Sequence, residues 1–231
     1  MKKIFLSVAV LLAAATASIA QDGMKAVSGS KTIEVQASSP FASGTPFRID
    51  NIRARYFLSD NMAVRIQFGI FANNSSRIDT FNNGSTLEDK ERLLNINIKP
   101  GIEKHFEGTD RISPYVGAEI DFAIQSVSQI DERATATNSV GTVTKKGQNG
   151  RGEDGYTRIG LNLVAGADFY IFKNLYLGTE IGWGIQRQNL ATITTEFEGL
   201  GSATPPADIE RGGTTTIGTN FIGAFRLGWV F

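Results

Sequence analysis

Charged side chains recur at every second position in several segments of the sequence, a spacing that places them on one face of a β-strand. Six are basic and six are acidic, so the two signs balance. Opposite charges that face a narrow interior are expected to pair, because an isolated charge without water costs far more than a paired one. The sequence therefore predicts an ion-pair network, although it does not assign the partners. Its members are Arg53, Arg55, Arg65, Lys99, Arg158 and Arg226 with Glu34, Glu103, Glu119, Asp121, Asp168 and Glu180.

Two sets of residues have the types needed for acid–base catalysis. His105 is the sole histidine and stands beside the short polar stretch 107–114. A histidine base works beside a serine or an acid at an accessible site, so we interpret His105 as a rim or lumen residue. Glu119 and Asp121 share a face, as paired carboxylates of a hydrolase would, but basic residues occupy that face too. They are interpreted as ion-pair members, and no enzymatic activity is predicted.

The composition removes further kinds of site. The chain has no Cys and one His, which excludes disulfides, thiolate ligands and multi-histidine metal centres. Its formal net charge of zero argues against binding to nucleic acid. The glycine-rich segment 145–155 fits neither a phosphate-binding loop nor a calcium loop, and is predicted to be a solvated mobile loop. No metal or cofactor is predicted.

The elements that position the charged residues are eight runs in which apolar and polar residues alternate. Alternation with period 2 indicates β-strands rather than helices. Most runs reach the 9–11 residues or so that a tilted strand needs to cross a bilayer, beyond the 5–6 of an ordinary strand. The runs are 33–37, 52–56, 64–70, 94–103, 115–125, 158–169, 175–186 and 217–231.

The connections between the runs alternate in length. The stretches 58–62, 107–114 and 172–174 are short, whereas 73–90, 127–154 and 189–213 are long and rich in Gly, Asn, Ser and Thr. Short turns at one end and long loops at the other are typical of outer-membrane barrels. The fold class predicted is all-β: an eight-stranded antiparallel transmembrane β-barrel with short periplasmic turns and long extracellular loops, the first outer loop, 39–46, being modest.

The two strand faces differ in a way that decides which one faces lipid. The apolar face carries large side chains, among them Ile66, Ile96, Ile120, Leu163 and Ile181, while the other face is rich in Gly, as a narrow interior requires. The charged face therefore lines the lumen, and the remaining alternative is an exported soluble lipocalin-like barrel. Aromatic residues near the turns predict an interfacial girdle. They are Tyr56, Phe57, Phe106, Tyr115, Phe169, Tyr170, Phe172, Tyr176, Trp229 and Phe231.

The N-terminal segment has the features of a secretory signal peptide. A basic start, Met1-Lys2-Lys3, precedes an apolar run that ends near Ala15, and Ser18-Ile19-Ala20 offers small residues for cleavage. We expect residues 1–20 to be a cleaved signal peptide and residues 21–231 to form one outer-membrane barrel domain. The expected location is the bacterial outer membrane.

The last strand and one hairpin resemble a known family. The ending, with Phe225, Leu227, Trp229 and Phe231 at alternate positions, resembles the C-terminal assembly signal of outer-membrane barrels. The hairpin 166–184 resembles those of small barrels with OmpA-like membrane domains, especially the versions from Bacteroidetes. The resemblance implies insertion by the barrel-assembly machinery. Because the chain stops at Phe231, we do not expect the peptidoglycan-binding domain that many OmpA-like proteins carry.

Two functions remain open from the sequence. The first is a non-catalytic barrel that acts as a structural scaffold in outer-membrane lipid and presents its long loops to a surface partner. The second is a narrow passive channel or transporter for small solutes. Eight strands leave an interior just wide enough for side chains, and long charged side chains fill it further, which favours the scaffold.

Overall fold

The computed structural model describes residues 23–38, 49–80, 86–134, 140–220 and 224–231. The proposed signal peptide and the predicted first outer loop therefore lie outside the described residues. Eleven strands are present in the described part of the chain. They are β1 (Lys31–Ser38), β2 (Ile49–Ser59), β3 (Met62–Thr80), β4 (Thr86–His105), β5 (Ile112–Ala134), β6 (Val140–Lys146), β7 (Tyr156–Phe172), β8 (Leu175–Leu190), β9 (Thr194–Glu198), β10 (Gly213–Asn220) and β11 (Ala224–Val230).

The strands close into a ring of eight positions, all antiparallel. The order is β1, β2, β3, β4, β5, β7 and β8, followed by β10 and β11, which both pair with β8 and share the eighth position. The ring closes because β11 also pairs with β1, with Thr32 opposite Val230. This confirms the predicted eight-stranded antiparallel barrel. In the described residues, no helix has the length and apolar character needed to cross a membrane.

The long connections lie at one end of the barrel, here called the long-loop end, and the short turns lie at the other, the short-turn end. The prediction that the long connections are loops is wrong for much of their length. β3 and β4 stay paired without a break from Met62–Lys104 to Thr80–Thr86, so most of 73–90 is a hairpin extension. β5 likewise continues to Ala134 and pairs with β6, which pairs with β9. Thr and alternating charges favour strands in these polar segments, where opposite charges face each other across the ladder.

The barrel keeps its apolar residues outside and its charged residues inside. Ile66, Ile120, Leu163 and Ile181 are exposed on the outer surface, and Ile96 on the same face is half-buried. The charged side chains of the opposite face are mostly buried within the ring. A soluble protein buries its apolar face, so the reversed arrangement is typical of a barrel surrounded by lipid.

Part of the predicted aromatic girdle lies inside the barrel instead. Phe57, Tyr115, Tyr170 and Tyr176 are buried at the short-turn end, whereas Tyr56, Phe106, Phe169, Phe172 and Trp229 are exposed outside and Phe231 is half-buried. The cause is the pleat, because consecutive residues of a strand point to opposite faces. The segment before β1 joins the buried set: the backbone amide of Ala26 donates a hydrogen bond to the Tyr170 hydroxyl at 3.2 Å. Side chains therefore close the short-turn end of the bore.

Candidate functional site

The inward-facing charges gather into one buried group, here called the inner cluster. Every strand position of the ring contributes at least one side chain, because period 2 turns alternate residues of each strand toward the bore. Four guanidinium groups and five carboxylates make up the cluster. Its members are Glu34, Arg53, Arg55, Arg65, Glu103, Glu119, Asp168, Glu180 and Arg226.

Arg65 of β3 contacts carboxylates on three other strands of the barrel. Its Nη1 atom lies 2.7 Å from Oε1 of Glu103 and 2.8 Å from Oε2 of Glu180, and its Nη2 atom contacts Glu119. Glu103 and Glu119 lie on β4 and β5, whereas Glu180 lies on β8. Because these contacts reach from β3 to β8, they cross the bore. Glu180 also accepts a hydrogen bond from Arg53 of β2 at 2.9 Å.

Arg55 and Arg226 form the part of the cluster nearer the short-turn end. Arg55 contacts Glu34 at 2.8 Å, Glu103 at 3.0 Å and Asp168 at 2.7 Å. Arg226 shares two of these partners, with Glu34 at 2.9 Å and Asp168 at 3.3 Å. Each guanidinium therefore binds two or more carboxylates. Each acid of the inner cluster contacts at least two arginines, except Glu119, which contacts one.

The remaining three predicted charges form what we call the outer tier: Lys99, Asp121 and Arg158. It meets the inner cluster where Lys99 Nζ lies 4.0 Å from Oε1 of Glu119. Lys99 Nζ and Arg158 Nη2 lie 3.4 Å and 3.3 Å from Asp121. Their side chains are 14% and 21% exposed, so this tier borders the solvent of the long-loop end. The balance of six to six is thus split unevenly, with one surplus carboxylate in the inner cluster and one surplus cation in the outer tier.

Two tyrosines and a histidine support the cluster, and the tyrosines are absent from the network that the sequence predicts. Tyr176 donates a hydrogen bond to Glu34 at 2.8 Å, and Tyr115 donates one to Glu180 at 2.6 Å. The Arg55 guanidinium lies 5.2 Å from the centre of the Tyr176 ring, a cation–π distance. The strand alternation itself would have placed these rings inside, had it been followed to the strand ends.

His105 contacts both a serine and a carboxylate. Its Nδ1 atom lies 2.9 Å from Oγ of Ser113, and its Nε2 atom lies 3.2 Å from Oε2 of Glu103. These three residue types match the nucleophile, base and acid of a catalytic triad. However, Ser113 and His105 are both buried, and Glu103 also binds Arg55. This geometry fixes the end of the β4–β5 hairpin and offers a substrate no access. Within the described residues, no group of three His, Asp or Glu side chains could hold a metal ion.

Glycines make the room that these long side chains need. Gly178 faces inward and is flanked by Asp168 of β7 and Arg226 of β11 on the neighbouring strands. A Cβ atom at Gly178 would lie 2.6 Å from Nη2 of Arg226 and 2.8 Å from Oδ1 of Asp168. The absence of a side chain at this position therefore allows the ion pair to form.

A Gly178→Ala variant should lose about 1–3 kcal/mol of unfolding free energy, because the added methyl group must displace an ion pair that has no space to move. Gly218 of β10 is the matched control, since a Cβ atom there would meet no atom within 4 Å. Gly218→Ala should change the stability by less than about 0.5 kcal/mol. Urea unfolding of both variants in detergent, followed by circular dichroism, measures the difference. Equal effects would contradict this account.

The segment predicted to be a solvated mobile loop is packed against the barrel instead. Lys145 and Lys146 belong to β6, and the Gly147 amide donates to the Val127 carbonyl at 2.9 Å. Arg151 then reaches the inward face of the β3–β4 hairpin, where it contacts Glu91 at 2.7 Å. The hydrogen bond from Arg211 lowers the pKa of Asp154, the two atoms being 2.7 Å apart. Backbone bonds and ion pairs, which the composition did not reveal, fix this segment.

The residues of the predicted assembly signal lie on the strand that closes the barrel. Leu227 and Trp229 are exposed on the outer surface, and Phe231 is half-buried. The backbone of Phe231 exchanges two hydrogen bonds of 2.9 Å with Lys31, at the start of β1. Phe225 belongs to β11, but its side chain lies outside the described part.

Comparisons with known proteins include one family match and three distant structural likenesses. A sequence profile described as an OmpA-OmpF-like porin family matches residues 46–203. No curated protein sequence matches the chain. The N-terminal β-barrel domain of OprF from Pseudomonas aeruginosa is 16% identical over 89% of this chain and 100% of that one, with a TM-score of 0.34. Neisserial surface protein A is 14% identical over 90% of this chain and 100% of that one, with a TM-score of 0.34. Ail, the attachment invasion locus protein of Yersinia pestis, is 10% identical over 88% of this chain and 99% of that one, with a TM-score of 0.32. These three likenesses are too distant to bear on function.

Proposed function

The chain belongs to the OmpA-OmpF-like porin family of outer-membrane β-barrels, and from that premise we propose that it is a non-catalytic scaffold of the bacterial outer membrane. In this proposal the short-turn end faces the periplasm and the long-loop end presents a surface to other molecules. The proposal includes export by a cleaved signal peptide and insertion by the barrel-assembly machinery.

The observation that carries the proposal is the occupied bore. Arg65 and Arg53 meet Glu180 from the far side of the ring, and Arg55 meets Asp168 in the same way. These side chains are buried, and the buried aromatic residues of the short-turn end close the bore beside them. A barrel of eight strands has room only for side chains, so a filled interior favours a structural role over conduction.

The long-loop end supports the second half of the proposal. The β3–β4 hairpin continues well beyond the inner cluster, and β5, β6 and β9 form a second extension beside it. Ile78, Val140 and Ile209 are exposed there among polar residues. Ile78 and Val140 lie on paired strands, and the backbone of Ile209 exchanges two hydrogen bonds with Ile193. Apolar side chains on a backbone ordered in this way form a more rigid contact surface than a mobile loop, because less conformational entropy is lost on binding.

A narrow channel is the second candidate, and the porin description of the family favours it. It requires a path beside the inner cluster. Lys99 and Arg158 are the lumen charges of the outer tier nearest to solvent, and they would form the entrance. No catalytic role is proposed, because His105, Glu119 and Asp121 all serve as ion-pair or hydrogen-bond partners of buried groups.

Conductance in a planar bilayer distinguishes the two candidates. The purified wild-type barrel should give no large, steady single-channel current, because charged side chains fill the bore. A triple variant, Arg65→Ala with Glu103→Ala and Glu180→Ala, removes three bulky groups and should conduct if it folds, which heat-modifiable migration on a gel checks. A large steady current from the wild type would refute the scaffold and support the channel.

A further inference from the structure

The outer surface of the barrel has a groove of about 870 Å³ that crosses β4, β5, β7 and β8. Its floor is low because two outward positions on adjacent strands carry only methyl groups, Ala118 and Ala165. Larger side chains stand on both sides, with Ile102 and Leu163 flanking Ala118 on the neighbouring strands. Ile181 lies next to Ala165 in the same manner. The groove is therefore a shallow apolar channel on the lipid-facing surface.

The groove runs from the short-turn end toward the middle of the barrel. Lys104 lies at its first end, one residue before β4 stops, and pairs with Met62 and Val116 on the adjacent strands. Trp183 lies at the other end, eight positions after the start of β8, and is exposed outward. A hydrocarbon chain lying in the groove would thus begin at the bilayer interface and extend into the apolar region.

Lys104 is an exposed cation on an otherwise apolar face. Met62 and Val116 stand opposite it on the adjacent strands, so neither neighbouring position supplies a carboxylate. Its outward neighbours along the chain are Ile102 and Phe106, and exposed aromatic residues such as Phe106 mark the depth of the interface. A lysine at this depth extends its ammonium group toward the headgroups. It therefore offers a phosphate a counter-charge that the protein leaves uncompensated.

We propose that this groove binds one anionic glycerophospholipid, with its phosphate on Lys104 and an acyl chain over Ala118 and Ala165 toward Trp183. Two features select this occupant. The groove extends across four strands from Lys104 to Trp183, which suits a hydrocarbon chain rather than a compact ligand. The single lysine at the interface favours a headgroup with net negative charge. The site is independent of the scaffold proposal, because it requires only a lipid-embedded barrel.

Fluorescence of Trp183 provides the test, since the chain has two tryptophans and Trp229→Phe leaves Trp183 as the reporter. The variant is refolded into phosphatidylcholine vesicles that contain a minor fraction of brominated phosphatidylglycerol or, separately, brominated phosphatidylcholine. Bromine on the acyl chain quenches tryptophan at contact. Quenching should show an approximately fivefold preference for the anionic lipid, the ratio expected for one lysine near the membrane surface.

Matched variants separate the groove from ordinary lipid contact. Lys104→Gln should abolish the preference, whereas Lys173→Gln, which removes an exposed lysine from the β7–β8 turn at the same end, should retain it. Ala165→Leu fills the floor and should reduce the preference, whereas Ala167→Leu, two residues along the same outward face, should not. Circular dichroism and gel migration confirm that each variant is folded. Equal quenching by the two lipids in the parent, or an unchanged preference after Lys104→Gln, would overturn the proposal.

Discussion

Replacing Arg65 with methionine is expected to lower the free energy of unfolding of the refolded barrel by about 3–5 kcal/mol. Arg65 binds Glu103, Glu119 and Glu180 at once, and all four groups are buried. Methionine retains an unbranched chain of similar reach, so the variant removes the charge more than the volume. Three carboxylates then remain in a confined space with less compensation, and the cost of a buried unpaired charge far exceeds that of a lost surface pair.

The same strand offers a matched control. Arg77 of β3 also pairs with carboxylates, Asp79 at 2.8 Å and Asp89 at 3.4 Å, but its side chain is 72% exposed. Arg77→Met should therefore cost no more than about 1 kcal/mol. Adding Glu180→Gln to Arg65→Met should recover part of the loss, because it neutralises one stranded carboxylate. Urea titrations in detergent give all three values, and similar losses for Arg65→Met and Arg77→Met would show that the cluster does not stabilise the barrel.

The fold could be predicted from the sequence because the strand period is a local property. Alternation along runs such as 158–169 defines two faces without any knowledge of partners. The sorting of short and long connections then indicates a barrel, and the glycines of the charged face indicate which side is the interior. Gly178, which makes room for Arg226 and Asp168, is an example of this relation.

The partners within the bore could not be predicted, because they depend on how far each strand is shifted along the barrel. Alternation states that Arg65 and Glu180 both face inward, but it does not state their relative height. That height results from the whole ladder of registers between β3 and β8, a separation of 115 residues in sequence. The uneven division of charge between the inner cluster and the outer tier has the same origin.

At two places the residue composition indicates a different structure from the periodicity. Aromatic residues are common at membrane interfaces, which favours Tyr115 and Tyr176 as girdle residues. Their positions in the alternation point inward, and both are buried. The segment 73–90 is rich in Asn and Ser, which favours a loop, but its charges match across a hairpin, as Arg77 and Asp89 do. Alternation along the strand determines the first case and cross-strand pairing the second, each more strongly than residue type does.

A Trp229→Asp variant is expected to reach the outer membrane at less than about a fifth of the wild-type level, and Phe169→Asp is its control. Both aromatic side chains face outward near the short-turn end, with 43% and 44% of their surface exposed. A carboxylate near the interface costs at most about 1 kcal/mol, or fivefold at equilibrium, at either position. Trp229 differs because it lies on β11, which pairs with β1 and β8 and closes the ring.

The difference between the two variants separates the effect of the predicted assembly signal from the free-energy cost of placing a carboxylate near the membrane interface. If the last strand is read during insertion, Trp229→Asp should fall well below Phe169→Asp in membrane fractions of living cells. The two proteins should nevertheless refold with similar yield into detergent, where no insertion machinery is present. Immunoblots of outer-membrane fractions and folding yields by gel shift supply both measurements. Equal membrane levels of the two variants would mean that Trp229 contributes only lipid contact, and that β11 closes the ring without acting as a recognition element.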